Sequence, residues 1–593
     1  MKFTQLQLNF LKWRIRHITT RDFILLLSIV VGGLAGLAAA LLKASVHYIQ
    51  HILIRGTENS DFGQYLIYFY PLLGLVLTVI ITNYLIHEKL GHGITDILYA
   101  ISQKSSIIKK IKTWSRAVTS AITIGFGGSA GLEAPIVVTG SAIGSNIALM
   151  MHLDYKSRTI LIGSGAAGAI AGIFNSPIAG VIFSSEVILA GIGFASFIPL
   201  LIAAVAGSIV TQTILGDAIL FSFELKDGFI TADVPFYILL GVVSGLVSLY
   251  FTRVTYWVET RIGKVKHPIA RGAVGGLLLA LIIFILPPIY GEGYDTILHL
   301  LESAESEIIY QSFFDLNYNN TLLFIVFLFG IIILKPVASA LTIGSGGSGG
   351  IFAPSLFLGA ITGFMFAFAI NHIFSSEIIS LSNFTLVGMC GVMSGILHAP
   401  LTAIFLIAES TGGYTLFVPL MLVSAISYST ISYFEEYSIY TKRLIERGEY
   451  IPHDKDRQLL STMRVKKVIE KDLHTIKPDQ KLKDLIKLVR KSKRNIFPVV
   501  DDNDQLKGII YLDGIRNIMF DEDAREEVVV SSLMNNPPES VSSTDSMELV
   551  MNKFEKCGAW NLPVIDEGKY VGFVSKSRIF NTYRKKLIKD RIE

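Results

Sequence analysis

Residues 127–137 read "GGSAGLEAPIV" and set one carboxylate, Glu133, among glycine, alanine and branched aliphatics, with no counter-charge nearby in sequence. A second run with the same grammar, "GSGGIFAP", ends at Pro354, against Pro135 for "GSAGLEAP", an offset of 354 − 135 = 219. Small residues followed by proline suit the start of a broken helix. Glycine lets backbone approach closely, and proline fits a first turn whose N–H has no partner anyway. The N–H groups orphaned at such a start, with the partial positive charge of the helix end, form an anion site that needs no basic side chain. A carboxylate there competes with a permeating anion for the same donors, and protonation removes its charge. Glu133 therefore reads as a gate, or else as a permanent cap. A phosphate-binding loop is excluded for "GSGGSGG", because no Gly-Lys-Ser/Thr follows it.

Each motif is preceded by one cation at the same distance: Arg116 lies 15 residues before Gly131 and Lys335 lies 15 before Gly350. These cations either raise the potential of a pore for anions or snorkel to the interface. Further on, "GAIAGIFNSPIAGVIFSSE" aligns with "GVMSGILHAPLTAIFLIAE", pairing Gly168 with Gly391, Pro177 with Pro400 and Glu186 with Glu409 at an offset of 223. Small residues at helical spacing also serve helix packing, and either motif alone reads that way. Two copies at matched positions, one carrying an acid, point to a transport site at a repeat interface. Glu186 and Glu409 read as structural carboxylates bonded to backbone amides.

The elements that must position these residues are membrane helices. Mean hydropathy is +0.53 and only 17% of the 593 residues are charged, outside the range of soluble proteins. Apolar runs recur from Phe23 to Tyr433, several too long for one crossing and broken by glycine or proline, as broken helices and helix pairs require. Residues 1–21, with Lys12, Arg14, Arg16 and Arg21, read as an amphipathic helix on the cytoplasmic face, and the basic stretch from Lys104 to Arg116 as a second cytoplasmic segment. The net charge of +4 reflects topology rather than nucleic-acid binding, and two distant cysteines, Cys390 and Cys557, exclude a disulfide framework or a zinc site.

After Tyr440 the composition turns charged and soluble. "FPVVDDNDQLKGIIYLD" and "LPVIDEGKYVGFVSKS" repeat at an offset of 65, each reading as strand, turn, strand and helix. The expected organisation is a membrane domain over 22–445, a linker over 446–460, and α/β modules over 461–525 and 526–593.

With these residues in view, the chain resembles the CLC family of chloride channels and chloride/proton antiporters with a C-terminal CBS domain pair. "GIFAP" is identical to a common family form, "GLEAP" is close to the usual G-(K/R)-E-G-P, "GHGITD" corresponds to GSGIP, and "SIYTKRL" matches the segment with the pore tyrosine. The resemblance implies an all-α polytopic domain of inverted, broken-helix repeats, a cytoplasmic α/β CBS pair, and a homodimer in the plasma (inner) membrane, multi-pass and surrounded by lipid. By position it makes Glu133 the gate. It places the anion among Gly91, His92, Gly93, Gly131, Leu132, Ala134, Gly350, Ile351, Phe352, Ala353 and Tyr440, with backbone amides of Ile351 and Phe352 and the Tyr440 hydroxyl at its centre.

Departures from the pattern modify that expectation. His92 replaces a serine and can donate to an anion, yet also titrates near neutral pH. Thr95 replaces a proline, and Leu132 with Ala134 replaces a cation and a glycine beside the gate. Val187 stands where antiporters of the family usually carry a second glutamate, which favours a chloride or small-anion channel over an anion/proton antiporter for chloride, nitrate or fluoride. In the CBS pair, Tyr511 and Ser575 fall at candidate adenine-nucleotide positions, but neither copy has the expected aspartate; no cofactor is expected, and dimerisation or coupling to the pore is the preferred role. A membrane-anchored nucleotide-sensing scaffold is the alternative of another class. No nucleophile–base constellation points to an enzyme.

Overall fold

The computed structural model describes residues 13–14, 16–55, 66–87, 93–190, 197–216, 228–302, 321–411, 413–446 and 463–592. The chain divides into two compact units, Met1–Tyr450 and Ile451–Glu593.

The named elements of the first unit are all helices. One half comprises α1 (Thr20–Arg55), α2 (Tyr70–Ile80), α3 (Ile94–Gln103), α4 (Ser115–Gly125), α5 (Glu133–Met150), α6 (Tyr155–Phe174), α7 (Pro177–Phe183) and α8 (Phe197–Leu215). The other comprises α9 (Val234–Ile262), α10 (Pro268–Ile285), α11 (Tyr294–Leu301), α12 (Thr321–Gly344), α13 (Phe352–Ile373), α14 (Leu381–Leu397), α15 (Pro400–Ser410) and α16 (Phe417–Phe434), followed by α17 (Ile439–Glu446). Among the described residues, 9 helices are long and apolar enough to cross a membrane. α1 begins at Thr20, where the Thr19 hydroxyl accepts from the Asp22 N–H (3.2 Å) and donates to its carboxylate (2.7 Å), a reciprocal cap. Most of the amphipathic helix expected over 1–21 lies outside the described residues. Arg14 within it is buried, its guanidinium 4.3 Å from the Phe23 ring centroid.

Packing repeats between the halves. α1 packs on α6 and α8 as α9 packs on α14 and α16, and α5 packs on α6 as α13 packs on α14. The α5–α6 and α13–α14 pairs approach so closely that glycine is required. A Cβ at Gly140 would lie 2.2 Å from the Gly165 carbonyl oxygen, and one at Gly359 would lie 2.5 Å from that of Gly388. Such contacts are how membrane helices associate without a hydrophobic drive between them.

The halves meet at the glycine motifs. Gly131 N–H donates to the Gly350 carbonyl (2.9 Å) and Gly350 N–H to the Gly131 carbonyl (2.7 Å), an antiparallel bridge. Equivalent helices starting on either side of such a bridge run away from it in opposite directions, so the repeats are inverted. A second reciprocal contact agrees. Glu186 accepts from the N–H groups of Leu401 (3.2 Å) and Thr402 (2.8 Å) at the start of α15, and Glu409 accepts from Ile178 (3.0 Å) and Ala179 (2.8 Å) at the start of α7. Each half supplies the carboxylate that caps the other half's helix.

In the second unit, α18 (Leu482–Lys491) precedes the antiparallel hairpin of β1 (Ile496–Val500) and β2 (Leu506–Tyr511). Two short helices follow, α19 (Leu512–Ile515) and α20 (Glu522–Glu527). Then α21 (Met547–Cys557) precedes the hairpin of β3 (Asn561–Asp566) and β4 (Lys569–Ser575), and α22 (Lys576–Ile592) ends the unit. Ile476 bridges Val499 and Val541 bridges Val564 in parallel, so each module repeats the same bridge beside its two-stranded hairpin. The modules also pair with each other: Glu470 of the first bridges Phe573 of the second, and Asn535 of the second bridges Ile509 of the first.

Candidate functional site

The N-termini of α5 and α13 converge around Glu133, which is 1% exposed. Gly131 and Gly350 spend their N–H groups on each other and the prolines 135 and 354 have none, which leaves the early N–H groups of both helices directed at one point. The Glu133 carboxylate occupies that point. A Cβ on Gly131 would lie 1.9 Å from its Oε2, and one on Gly350 would lie 3.3 Å away, so two glycines form its seat. Backbone N–H groups of Glu133 and Ala353 act on it, linking the acid at the start of one helix to the start of the other. Tyr294, at the start of α11, donates its hydroxyl to Oε1 at 3.1 Å, while Oε2 is buried without a hydrogen-bond partner.

The rest of the anion set lies close by. Ala134, Gly350, Ile351 and Tyr440 line a cavity of about 30 Å³ with Glu259 and Arg443, room for a single small ion or water. The Tyr440 hydroxyl is buried and has no hydrogen-bond partner, an expensive arrangement for a phenol unless something else fills its need. Thr95, the residue in place of a motif proline, fixes Tyr440 by donating its hydroxyl to the Tyr440 carbonyl at 3.0 Å. Phe352 stacks on Phe174 (centroids 5.2 Å) and meets Phe183 edge-on (6.1 Å), which holds its side chain in an aromatic cluster. Leu132 is buried beside the gate, and Ala353 is fully buried. Gly93 is the N-cap of α3 with φ +54°, and its Cβ would meet Ala134 at 3.1 Å; Gly91 and His92 lie outside the described residues.

Neither motif cation snorkels. Lys335 is 0% exposed; its ammonium donates to the carbonyls of Ile289 and Gly291 (both 3.2 Å) and stands 4.5 Å over the Phe357 ring. Arg116 is buried and bonds Asp96 (3.1 Å), which also takes Lys112 (2.8 Å), so this cation is tied to the "GHGITD" segment. In the lining of the small cavity Arg443 pairs with Glu259. Val187 is half-buried against the apolar core.

Sequence reasoning missed Glu292 and Tyr294. Glu292 Oε1 accepts from the Leu132 N–H at 3.2 Å, and Tyr294 holds Glu133. Both partners are about 160 residues away in the chain. The available signal was "YGEGY", a second acid between glycines beside an apolar run.

In the C-terminal unit, Ser575 is occupied internally: its hydroxyl donates to Glu470 and accepts from the Arg578 N–H (3.1 Å), and Glu470 pairs with Arg494. Tyr511 is exposed at the end of β2.

A family model described as "Voltage gated chloride channel" matches residues 73–432, and CBS domain models match 465–521 and 530–585. The chain is 27% identical over 563 residues to "Chloride channel protein CLC-f" of Arabidopsis thaliana, covering 84% of this chain and 69% of that one. It is 26% identical over 426 residues to "H(+)/Cl(-) exchange transporter ClcA" of Vibrio vulnificus (strain YJ016), covering 69% and 86%. Among solved structures, a slow cyanobacterial Cl−/H+ antiporter superposes with a TM-score of 0.62 at 22% identity, covering 73% of this chain and 99% of that one.

Proposed function

Because the chain belongs to the voltage gated chloride channel family of membrane anion transport proteins and carries a CBS domain pair, we propose that it is a proton-coupled antiporter of chloride or a similar small anion, with Glu133 as its gate. The observation that carries this reading is a buried carboxylate seated on the N-termini of two inverted helices, with an unpartnered oxygen, near an unpartnered tyrosine hydroxyl.

Burying an unpaired ion costs several kcal/mol, whereas hydrogen bonds to a charged group return about 1.5–3 kcal/mol each. Two or three donors are therefore needed to hold either the carboxylate or an anion, and the donors at this point serve one occupant at a time. Ionised Glu133 takes the helix-end amides and closes the path. Protonated Glu133 has no claim on them, and an anion takes its place against the amides of Ile351 and Phe352 and the hydroxyl of Tyr440, with Ala134, Gly350 and Ala353 as close walls. Proton uptake and anion entry then alternate at one site, which couples their fluxes. Buried Lys335 and Arg116 set a positive background for the anion.

The names of relatives such as the Vibrio exchange transporter support exchange over simple conduction. A channel is the second reading, favoured by Val187 in place of a second glutamate. The protein acts as a homodimer in the plasma membrane with its CBS pair in the cytoplasm, where the pair couples to the pore. The internal Ser575–Glu470 bond stands against nucleotide at that position. Simultaneous chloride and proton flux in liposomes tests the reading: Glu133→Ala should abolish proton movement and flatten the pH dependence of anion flux, and an unchanged pH curve would remove Glu133 from the gate.

A further inference from the structure

The turn leading into α11 places Gly291 (φ +60°) and Gly293 (φ +89°) in the left-handed region on either side of Glu292. A Cβ at Gly293 would lie 2.4 Å from the Phe357 ring, so glycine is required there on both counts. Two separate segments, the stretch 127–129 and α12, pin the turn. Ser129 donates its hydroxyl to the Ile289 carbonyl (2.9 Å), Lys335 donates to the carbonyls of Ile289 and Gly291, and the Gly291 N–H donates to the Gly127 carbonyl (3.2 Å). A turn held this firmly aims a second carboxylate at the start of α5. Glu292 takes the Leu132 N–H one residue before Glu133, while Tyr294, two residues further on, takes Glu133 itself.

The two acids differ in access. Glu133 is 1% exposed, but Glu292 is only half-buried. A buried gate that exchanges protons needs a partner less deeply enclosed than itself, and Glu292 is the less buried of the two acids. The charged and titratable groups acting around it are Glu133 from α5, Lys335 from α12, Lys43 from α1 and Tyr294 from α11. Lys43 also lines a cavity of about 610 Å³ with His47, His51, Asn175 and Gln212. Two carboxylates at one helix start cannot both ionise cheaply, so one proton shared between them is the favoured state.

Resting on the reading of Glu133 as gate, we propose that Glu292 is the proton-relay carboxylate for it. The O–H bond of the Glu292 carboxyl breaks as the Glu133 carboxylate takes the proton. Glu292, left ionised, is reprotonated from water on the Lys43 side, so charge and protons balance over the cycle.

Glu292→Gln separates relay from cap, because the amide oxygen still accepts from Leu132 N–H but the group carries no exchangeable acid proton. With the full chain in liposomes, chloride and proton flux are recorded together between about pH 5 and 8. The relay expects Glu292→Gln to lower the ratio of proton to chloride flux by about tenfold or more and to remove one ionisation from the pH profile. A wild-type ratio and profile in Glu292→Gln, with damage confined to Glu292→Ala, would make Glu292 a cap and overturn the relay. If that result comes with a flattened pH curve in Glu133→Ala, the gate stands and only the relay falls; an unaltered Glu133→Ala curve removes both. Should Glu292→Gln fail to assemble, Lys43→Gln is read instead. Loss of this cation should displace the pH midpoint by about half a unit or more, and an unmoved midpoint counts against the relay.

Discussion

Gly131→Ala evicts the gate from its seat without touching the acid. The added Cβ would lie 1.9 Å from Glu133 Oε2, 2.7 Å from Cδ and 2.8 Å from Oε1, far inside the roughly 3.5 Å that non-bonded heavy atoms keep. Gly131 has no positive φ, so alanine is conformationally allowed, and its backbone is locked to Gly350 by two hydrogen bonds. The carboxylate, at the end of a flexible side chain, is what moves. Moving costs it the Tyr294 hydroxyl and the neighbouring amide of Ala353. One bond to a charged group is worth about 1.5–3 kcal/mol, and each 1.4 kcal/mol is about tenfold, so occupancy of the closed state should fall about 10- to 100-fold. Stability should change little, since Gly→Ala restrains the unfolded chain by about 0.4–1 kcal/mol and partly offsets the contact. Chloride efflux from liposomes across pH 5 to 8 is the assay. Wild type should slow as pH rises and the carboxyl ionises, whereas Gly131→Ala should stay fast, as Glu133→Ala does. A folded Gly131→Ala with the wild-type rate and pH curve would refute the seat.

Further expectations concern the surrounding parts. Tyr440→Phe removes a buried hydroxyl that has no protein partner, so melting temperature should hold or rise while apparent anion affinity falls about 2- to 10-fold, from a loss of about 0.5–1.5 kcal/mol; an unchanged affinity would exclude the hydroxyl from the anion site. Glu186→Ala removes three bonds at the start of α15, two from N–H groups and one from the Thr402 hydroxyl (2.7 Å), and Glu409→Ala strips the start of α7. Each should destabilise by about 1–3 kcal/mol or more, read as loss of monodisperse protein on heating, with the remaining folded fraction still transporting. In the C-terminal unit, hydrogen bonds from Ser543 and then Ser542 hold the Asp566 carboxyl below its usual range. Its contribution is complete above about pH 4, where the unfolded carboxyl is ionised, and is lost as pH falls through the lower folded value. Amide exchange in β3 and β4 should therefore accelerate on acidification, and Asp566→Asn should flatten that response.

Much of this arrangement was legible because duplication leaves a countable trace. The offset of 219 matches the two motifs that meet at the Gly131–Gly350 bridge, and the offset of 223 pairs the two carboxylates whose caps cross between halves. The type of partner for Glu186 was readable from chemistry, since a buried acid among apolar residues needs amides. Its source was not, because the amides belong to the other repeat. Lys335 left pore and interface open from spacing alone, and burial against two carbonyls decides for the interior. Glu292 and Tyr294 stayed hidden because their roles depend on a turn far along the chain closing on α5. Sequence neighbours offer Glu133 no counter-charge, and the fold adds the Tyr294 hydroxyl to the helix-start amides. Pairing between the CBS modules was likewise invisible in the 65-residue repeat, which is a local pattern.

The most direct test of Glu133 as the point where proton and anion movements meet is simultaneous recording of both in liposomes holding the full chain, with an outward chloride gradient and no initial pH gradient. Exchange requires protons to move against their equilibrium as chloride runs down, and Glu133→Ala to pass chloride with no proton movement. Chloride flux in the wild type without any proton movement would contradict the coupling and leave a channel.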